Sequence, residues 1–249
     1  MLSLQELAFI AGVFLLAGWI KGVVGMGLPT VAMGALGLVM APVQAAALLV
    51  VPSLVTNVWQ FVAGPSKQVV LLRFASMMLM VCLGTAVGIQ FLTSGSSQWP
   101  SLALGLVLAL YAVIALFLPR FSVAQRLEPR ISPIIGGMTG VLAGATGVFM
   151  VPAVPYLSAL GLSKEELIQA LGLSFTVSTV ALAVALGASG SFSSSLLLAS
   201  TGAVVPALIG MLIGQHSRSR IEPAAFRKWF LISTLIVGGY MAIRSIFTQ

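Results

Sequence analysis

The chain has 249 residues, of which 59% are hydrophobic and 7% charged, with 12 Lys or Arg against 5 Asp or Glu, a net charge of +7 and a mean hydropathy of +1.12. A soluble domain carries about a quarter of its residues as charges, so this composition excludes a water-dispersed fold and specifies an integral membrane protein. The basic residues stand singly or in small groups between apolar stretches, which excludes a polyanion-binding face and a nucleic-acid partner; Cys82 is the single cysteine, which excludes an intrachain disulfide or a multi-cysteine metal site.

The first six residues carry no basic n-region and no small-x-small cleavage pattern follows, so the first apolar segment is expected to remain in the protein. Crossing a bilayer as a helix takes about 20 apolar residues. The opening stretch, 4–41, is apolar for nearly twice that length and is interrupted by Gly and Pro. Ordinary spans are expected at 42–62, 70–92 and 101–118, then a second double-length interrupted stretch at 131–163, then ordinary spans at 167–186, 195–214 and 230–247. The fold class is an all-α integral membrane protein. Lys67 and Arg73, then Arg120, Arg126 and Arg130, then Arg218, Arg220, Arg227 and Lys228 mark three cytoplasmic loops by the positive-inside rule, and the uncharged connections 93–100 and 187–194 read as outside loops. Counting crossings between Arg130 and Arg218, both inside, gives 131–163 an even number, so it is a hairpin, either two full spans or a re-entrant pair of half-helices. The same logic makes 4–41 a hairpin with both ends outside, and places both termini in the periplasm.

The two interrupted stretches repeat one pattern. Gly18, Gly22 and Gly25 followed by Pro29 recur as Gly140, Gly144 and Gly147 followed by Pro152, the glycines at a constant offset of 122 residues. Each copy precedes three ordinary spans, which divides the chain into units 1–119 and 131–249 joined by a cytoplasmic linker, 120–130. The units enter the membrane from opposite sides, the inverted-topology repeat of many secondary transporters. Helix packing through small-x3-small motifs would account for the glycines, but not for the Pro-bounded interruptions. Proline suits the first turn of a new helix, where its missing N–H costs nothing. Backbone freed at membrane depth has to be satisfied by protein, water or ligand, and N–H groups at a half-helix start carry partial positive charge. Two such starts facing each other would hold a small anion, with N–H groups near Gly25, Gly27, Gly147 and Val151 as donors and Gly22, Gly144 and Thr146 bordering the same loops.

On the pattern from Gly18 to Pro29, its echo from Gly140 to Pro152, and the segments Gly37-Leu-Val-Met-Ala-Pro42 and Gly161-Leu-Ser-Lys164, the chain resembles the TauE/SafE-type sulfite and organosulfonate exporter family along essentially its whole length. The resemblance implies export of a small, often sulfur-containing oxyanion across the bacterial cytoplasmic membrane. One departure is visible: Met26, Leu28, Val148 and Phe149 intrude where family loops often carry a Gly-Gly-Gly run.

Lys21 is the one basic residue of the two interrupted stretches, and its counterpart at the repeat offset is Ala143. An intramembrane ammonium either pairs with a substrate anion or snorkels to the interface. Ser53, Thr56, Asn57 and Gln60 fall on one helical face at i, i+3, i+4 and i+7, and Ser174, Thr176, Ser178 and Thr179 lie at the corresponding depth of the second unit, Ser178 and Thr179 at the 122-residue offset from Thr56 and Asn57. These side chains either bind an oxyanion or hydrogen-bond one helix to another. Asp is absent and the five Glu residues lie near segment ends or in loops, so a proton would travel on the substrate or on Lys21. Otherwise the carrier is a uniporter, in which the membrane potential favours anion exit by roughly 2.3 kcal/mol per charge per 100 mV.

Gly187-Ala-Ser189-Gly190 matches the Gly-x-Ser-Gly of rhomboid-like intramembrane proteases, but the single histidine, His216, is 27 residues away along mostly helical chain, roughly 30–40 Å from Ser189. No metal-ligand cluster, Walker motif or inward carboxylate pair accompanies it. The expectation is therefore a transporter with no catalytic residue, metal or cofactor, in contact with lipid and a small anion, as a monomer or homodimer. Its expected substrate-binding residues are Lys21, Gly22, Gly25, Gly27, Asn57, Gln60, Gly144, Thr146, Gly147, Val151, Thr176 and Ser178, with Arg73 as a topology anchor. The alternatives are a membrane scaffold without transport of its own and an intramembrane hydrolase.

Overall fold

Ser3 opens the first helix as a capping box: its hydroxyl accepts the Glu6 N–H at 3.2 Å while the Glu6 carboxylate accepts the Ser3 N–H at 2.7 Å. That helix, α1 (Leu4–Val24), ends at Gly25, whose φ of 85° is the left-handed conformation a helix C-terminus favours. Gly27, also left-handed, then starts α2 (Leu28–Gly37), with Pro29 in its first turn. The second interrupted stretch uses the same chemistry: α7 (Glu128–Thr146) ends at a left-handed Gly147 and is followed by α8 (Ala153–Ser158), for which Pro152 is the N-cap. The remaining helices are α3 (Pro42–Val62), α4 (Lys67–Arg73), α5 (Ala75–Leu92), α6 (Gln98–Phe117), α9 (Lys164–Ala188), α10 (Ser194–Gly202), α11 (Val204–Ser217) and α12 (Pro223–Phe247). This computed structural model describes residues 3–94, 98–117, 122–218 and 220–247, and no strand occurs among them. The loop residues 95–97, the expected span end at 118 and the basic residue Arg120 lie outside the described residues.

Seven segments among the described residues are long and apolar enough to cross a membrane, one of them being α10 and α11 taken together. The seventh, beyond the six ordinary spans, is α1 itself. At 1.5 Å per residue α1 is about 31 Å long and α2 about 15 Å, so the first interrupted stretch is a full-length helix with a short return leg. It is neither two full spans nor a pair of half-helices. The second stretch repeats this asymmetry with 19 residues in α7 and 6 in α8. Each stretch begins and ends at one side of the bundle: Gln5, Glu6 and Phe9 line one pocket with Val39, Met40 and Gln44, and Val123 donates its N–H to Ala159 O at 2.9 Å.

Four expected boundaries shift, the largest extension being that of the last span, which starts at Pro223 rather than 230. The 70–92 span is two helices bent at Phe74; Val70 and Phe74 are both buried, so hydropathy runs through the bend unchanged. The 195–214 span breaks at Ala203, because Pro206 has no N–H for the Gly202 carbonyl and its ring crowds that turn. The 93–100 connection is shorter than expected, since α6 starts at Gln98 with Pro100 in its first turn.

Close helix contacts rest on the repeated glycines. A Cβ built at Gly18 would sit 2.9 Å from Ala207 C, and one at Gly22 2.8 Å from Gln215 N, so α1 lies directly against the α11 backbone. In the same way α7 lies against α5, where a Cβ at Gly140 would be 2.9 Å from Thr85 N and one at Gly144 2.7 Å from Ile89 N. The small-x3-small reading of these glycines is thus correct as a packing statement, and the interruptions coexist with it. Both contacts join the first part of the chain to the second. Helices α3 and α9 cross at Gly172, whose added Cβ would be 2.7 Å from Phe61 N, and α6 meets α12 through Gly105 and Gly238. Leu79, Leu83, Val87 and Phe91 form an exposed apolar stripe on α5 at i, i+4 spacing, the surface a helix presents to acyl chains.

Candidate functional site

The polar centre of the fold lies where α1, α3 and α9 meet. Gly18 and Gly22 draw α1 onto α11, and Lys21, on the turn between them, reaches to α3 with 4% of its surface exposed. Its ammonium donates to Thr56 Oγ1 at 3.1 Å and to Asn57 Oδ1. Burial and these bonds exclude the snorkelling alternative. Asn57 in turn donates through Nδ2 to Ser53 Oγ at 2.9 Å, which fixes the amide with its oxygen toward the lysine. Ser53 Oγ lies 3.2 Å from Thr179 Oγ1, and Thr179 donates to Phe175 O at 2.6 Å, so the Ser53 hydroxyl supplies the proton between the two. The result is a one-way chain of donors from Lys21 through Asn57 and Ser53 to Thr179 and a backbone carbonyl. Thr56 spends its own proton on Pro52 O at 2.8 Å and offers only lone pairs to the ammonium.

Proline 52 shapes this part of α3. Lacking an N–H, it frees the Leu48 carbonyl one turn earlier. Ser200 of α10 fills that place, donating to Leu48 O at 2.8 Å and accepting the Val51 N–H at 3.2 Å. One turn beyond the lysine partners, α3 is fastened to α9. Gln60 Nε2 donates to Ile168 O at 3.0 Å, Gln169 Nε2 donates to Phe61 O at 2.9 Å, and Gln169 Oε1 accepts the Ser66 N–H at 2.9 Å. Gln169 is fully buried and satisfies one of the orphan carbonyls of the α3 C-terminus, a role with no periodic signature in the sequence.

Three buried hydroxyls have no hydrogen-bond partner among the described residues: Ser174 and Ser178, a turn apart on α9, and Thr139 on α7. Ser178 directly precedes Thr179, the far end of the lysine network. A buried polar group without a partner costs about 1–3 kcal/mol, so these oxygens mark places where a ligand or water gains most.

The two interruptions differ in lining. At the first, the added Cβ of Gly25 would meet nothing within 4 Å, and the Gly27 N–H makes no hydrogen bond among the described residues. At the second, a Cβ at Gly147 would fall 2.9 Å from the Met33 sulfur. Thr30 donates to Met150 Sδ, the Phe149 and Phe175 rings lie tilted at 53° with centroids 5.4 Å apart, and Val148, Phe149, Met150 and Val151 are all buried. The interruptions therefore meet through α2, across apolar and sulfur atoms. Their first N–H groups are engaged: Gly25 N–H donates to Lys21 O at 2.7 Å and Gly147 N–H to Ala143 O at 2.8 Å. Thr146 closes the second loop, donating to Leu142 O and accepting the Val148 N–H. The Val151 N–H is without a hydrogen bond among the described residues. Gly22 and Gly144 are contact points for α11 and α5, and Thr176 donates to Gly172 O at 2.7 Å within its own helix. Of the twelve expected residues, Lys21 and Asn57 are joined directly, Ser178 is next in sequence to the end of their network, Gln60 serves the α3–α9 contact and Thr176 bonds only within α9.

Arg73 is more than a topology anchor. Its guanidinium forms a two-pronged pair with Glu128, Nε to Oε1 at 2.6 Å and Nη2 to Oε2 at 2.7 Å, which holds Arg73 above its usual range and ties α4 to the start of α7. Glu128, expected only as an end residue, is 7% exposed, and its carbonyl also accepts from Tyr156, whose hydroxyl lies 2.7 Å from Ser132 Oγ. Together with Lys21 it makes up the buried charged residues among those described. Ser189 caps α9 and bonds Leu186 O and Ser191, whereas His216 lies in the last turn of α11, so the apparent protease motif is split between the two ends of the 24-residue segment Ser194–Ser217.

The model of one family, described as sulfite exporter TauE/SafE, matches residues 10–241. No match was found among curated proteins or among solved structures. The family match covers nearly the whole chain and includes both interruptions, the lysine network and the α3–α9 crossing. The chain belongs to the TauE/SafE sulfite exporter family, a family of membrane transporters.

Proposed function

We propose that this member of the TauE/SafE family is a secondary carrier that exports a small anion, a sulfur oxyanion or organosulfonate, by alternating access across a bacterial inner membrane, with both termini in the periplasm. The observation that carries this reading is Lys21: an ammonium buried inside a membrane bundle, held by neutral oxygens of Thr56 and Asn57, with no carboxylate among its hydrogen-bond partners. A buried charge is stable only when paired, and an anion supplies the missing partner. The Ser174 and Ser178 hydroxyls, on the helix that carries Thr179, are donors with no hydrogen-bond partner among the described residues.

The duplicated plan supports alternating access. The contacts support two inverted units, 1–119 and 131–249: α1 packs on α11 as α7 packs on α5, elements related by the 122-residue offset, while α3 with α9 and α6 with α12 each pair an element with its own counterpart. Exchange of the two interruptions between an open and a filled state would expose the lysine to one side and then the other. Gly25 beside open space and Gly147 against Met33 support this reading as an open and a filled interruption.

The test is efflux from proteoliposomes loaded in turn with sulfite, thiosulfate, sulfate, taurine, sulfoacetate or acetate, in parallel with thermal unfolding of the purified chain in each sodium salt at constant ionic strength. A carrier gives saturable efflux of one class of anion, and at 100 times its dissociation constant that anion stabilises the fold by about 2.7 kcal/mol. No efflux and no stabilisation with any member of the panel refutes the proposal.

A further inference from the structure

The charge inventory of the site limits its cargo. With an anion beside it Lys21 is an ammonium and contributes one positive charge, and every group bonded to it or next in the chain of bonds is neutral: Thr56, Asn57, Ser53 and Thr179. The one other buried charge among the described residues, Glu128, is already paired with Arg73. An ammonium has three protons. Two of them are taken by Thr56 and Asn57, so one donor is left for a ligand, and the unpartnered Ser174 and Ser178 hydroxyls can add neutral donors only. A monoanion closes this account, forming an ion pair of zero net charge at membrane depth. A dianion leaves one negative charge buried without a counter-charge, and uncompensated buried charge is the costliest arrangement in a protein interior.

Resting on the carrier reading above, we infer that the site selects by charge number: it takes a singly charged oxyanion or sulfonate and rejects a doubly charged one of the same size. Breaking a buried pair so that one charge stands alone corresponds to a loss of about a hundredfold or more in affinity.

The experiment pairs probes that share headgroup chemistry and differ by one charge. Methanesulfonate is set against sulfate, and ethanesulfonate against 1,2-ethanedisulfonate, each titrated as the sodium salt into the purified full chain at fixed ionic strength and pH, with thermal stabilisation as the readout. The expected result is half-saturation by the monoanions at concentrations about a hundredfold or more below those for the dianions. Lys21→Met should abolish the response to both. Asn57→Asp is the second variant, because it places a carboxylate against the ammonium, neutralises it internally and should remove monoanion binding while leaving the helices intact by circular dichroism. Equal or tighter binding of the dianions, or monoanion binding unchanged in Asn57→Asp, overturns charge selection while the carrier reading stands. Binding of neither class, together with no efflux from liposomes, overturns the carrier reading and this inference with it.

Discussion

Placing a single methyl group at Gly22 tests the close approach that positions Lys21. A Cβ there would lie 2.8 Å from both Gln215 N and Gly214 Cα and closer still to Met211 O, all backbone atoms of the facing segment that cannot rotate away. Carbon contacts are most favourable at about 3.5–4.0 Å, so α1 and α11 must separate by roughly 0.7 Å or more. Overpacking of this kind costs about 1–3 kcal/mol. Gly12, ten residues earlier in the same helix, is the control, because its added Cβ would meet nothing within 4 Å. Gly12→Ala should be neutral or stabilise by up to about 1 kcal/mol through helix propensity, whereas Gly22→Ala should lose about 1–3 kcal/mol relative to it. Reversible unfolding in mixed detergent measures the difference. Because Lys21 adjoins Gly22, anion-induced stabilisation should also weaken in Gly22→Ala and persist in Gly12→Ala. Equal stability of the two variants would refute the backbone contact and, with it, the account of how the lysine is aimed.

Two other perturbations address the supports of the site. Ser200→Ala leaves the Leu48 carbonyl without a donor and should cost about 1–3 kcal/mol; in a Pro52→Ala background residue 52 can supply that donor itself, so the same change should cost about 1 kcal/mol less, and equal costs in the two backgrounds would refute the proline account. Glu128→Gln should destabilise by about 1–2 kcal/mol, less than a fully buried pair because the Arg73 side chain is 31% exposed; a thermal double-mutant cycle with Arg73→Met that shows no coupling would remove the pair as a tie between α4 and α7.

The spans were legible because the bilayer imposes length and hydropathy directly, and α3 begins and ends at the expected residues, 42 and 62. The glycine repeat was legible because Gly18, Gly22, Gly140 and Gly144 each meet a facing backbone that admits no side chain, while Gly25 and Gly147 adopt the left-handed conformation that ends a helix. What hydropathy could not show was unequal length within each interrupted stretch. Apolar residues continue through Gly25 and Gly147 without change, and only the position of the left-handed glycines sets where a long leg gives way to a short one. The polar face Ser53, Thr56, Asn57 and Gln60 was read correctly as one face, yet its roles divide: Thr56 and Asn57 hold the lysine, while Gln60 reaches the α9 backbone. Gln169 and the Arg73–Glu128 pair were missed for a common reason. Each joins residues more than 50 positions apart, and neither spacing nor local composition records which distant partner a lone polar residue will meet.

The asymmetry between the halves bears on how a duplicated carrier can keep one site. Position 143, the counterpart of Lys21, is a fully buried alanine. A second lysine there would bring a second buried ammonium into the same bundle, and like charges at that depth repel with little screening. With one lysine, the charge stays on a single element, and the Ser53–Thr179 contact joins it to the other half without adding charge. In the inverted-repeat reading, the halves exchange conformations while the lysine stays attached to α1, so the two states cannot be energetically equal. In that reading the arrangement with Gly25 beside open space is one state, and the reverse state would open Gly147 by displacing Met33. On the proposed carrier reading, two like halves of which one carries lysine and the other alanine at the corresponding position would have unequal states, and the carrier would have a preferred resting side.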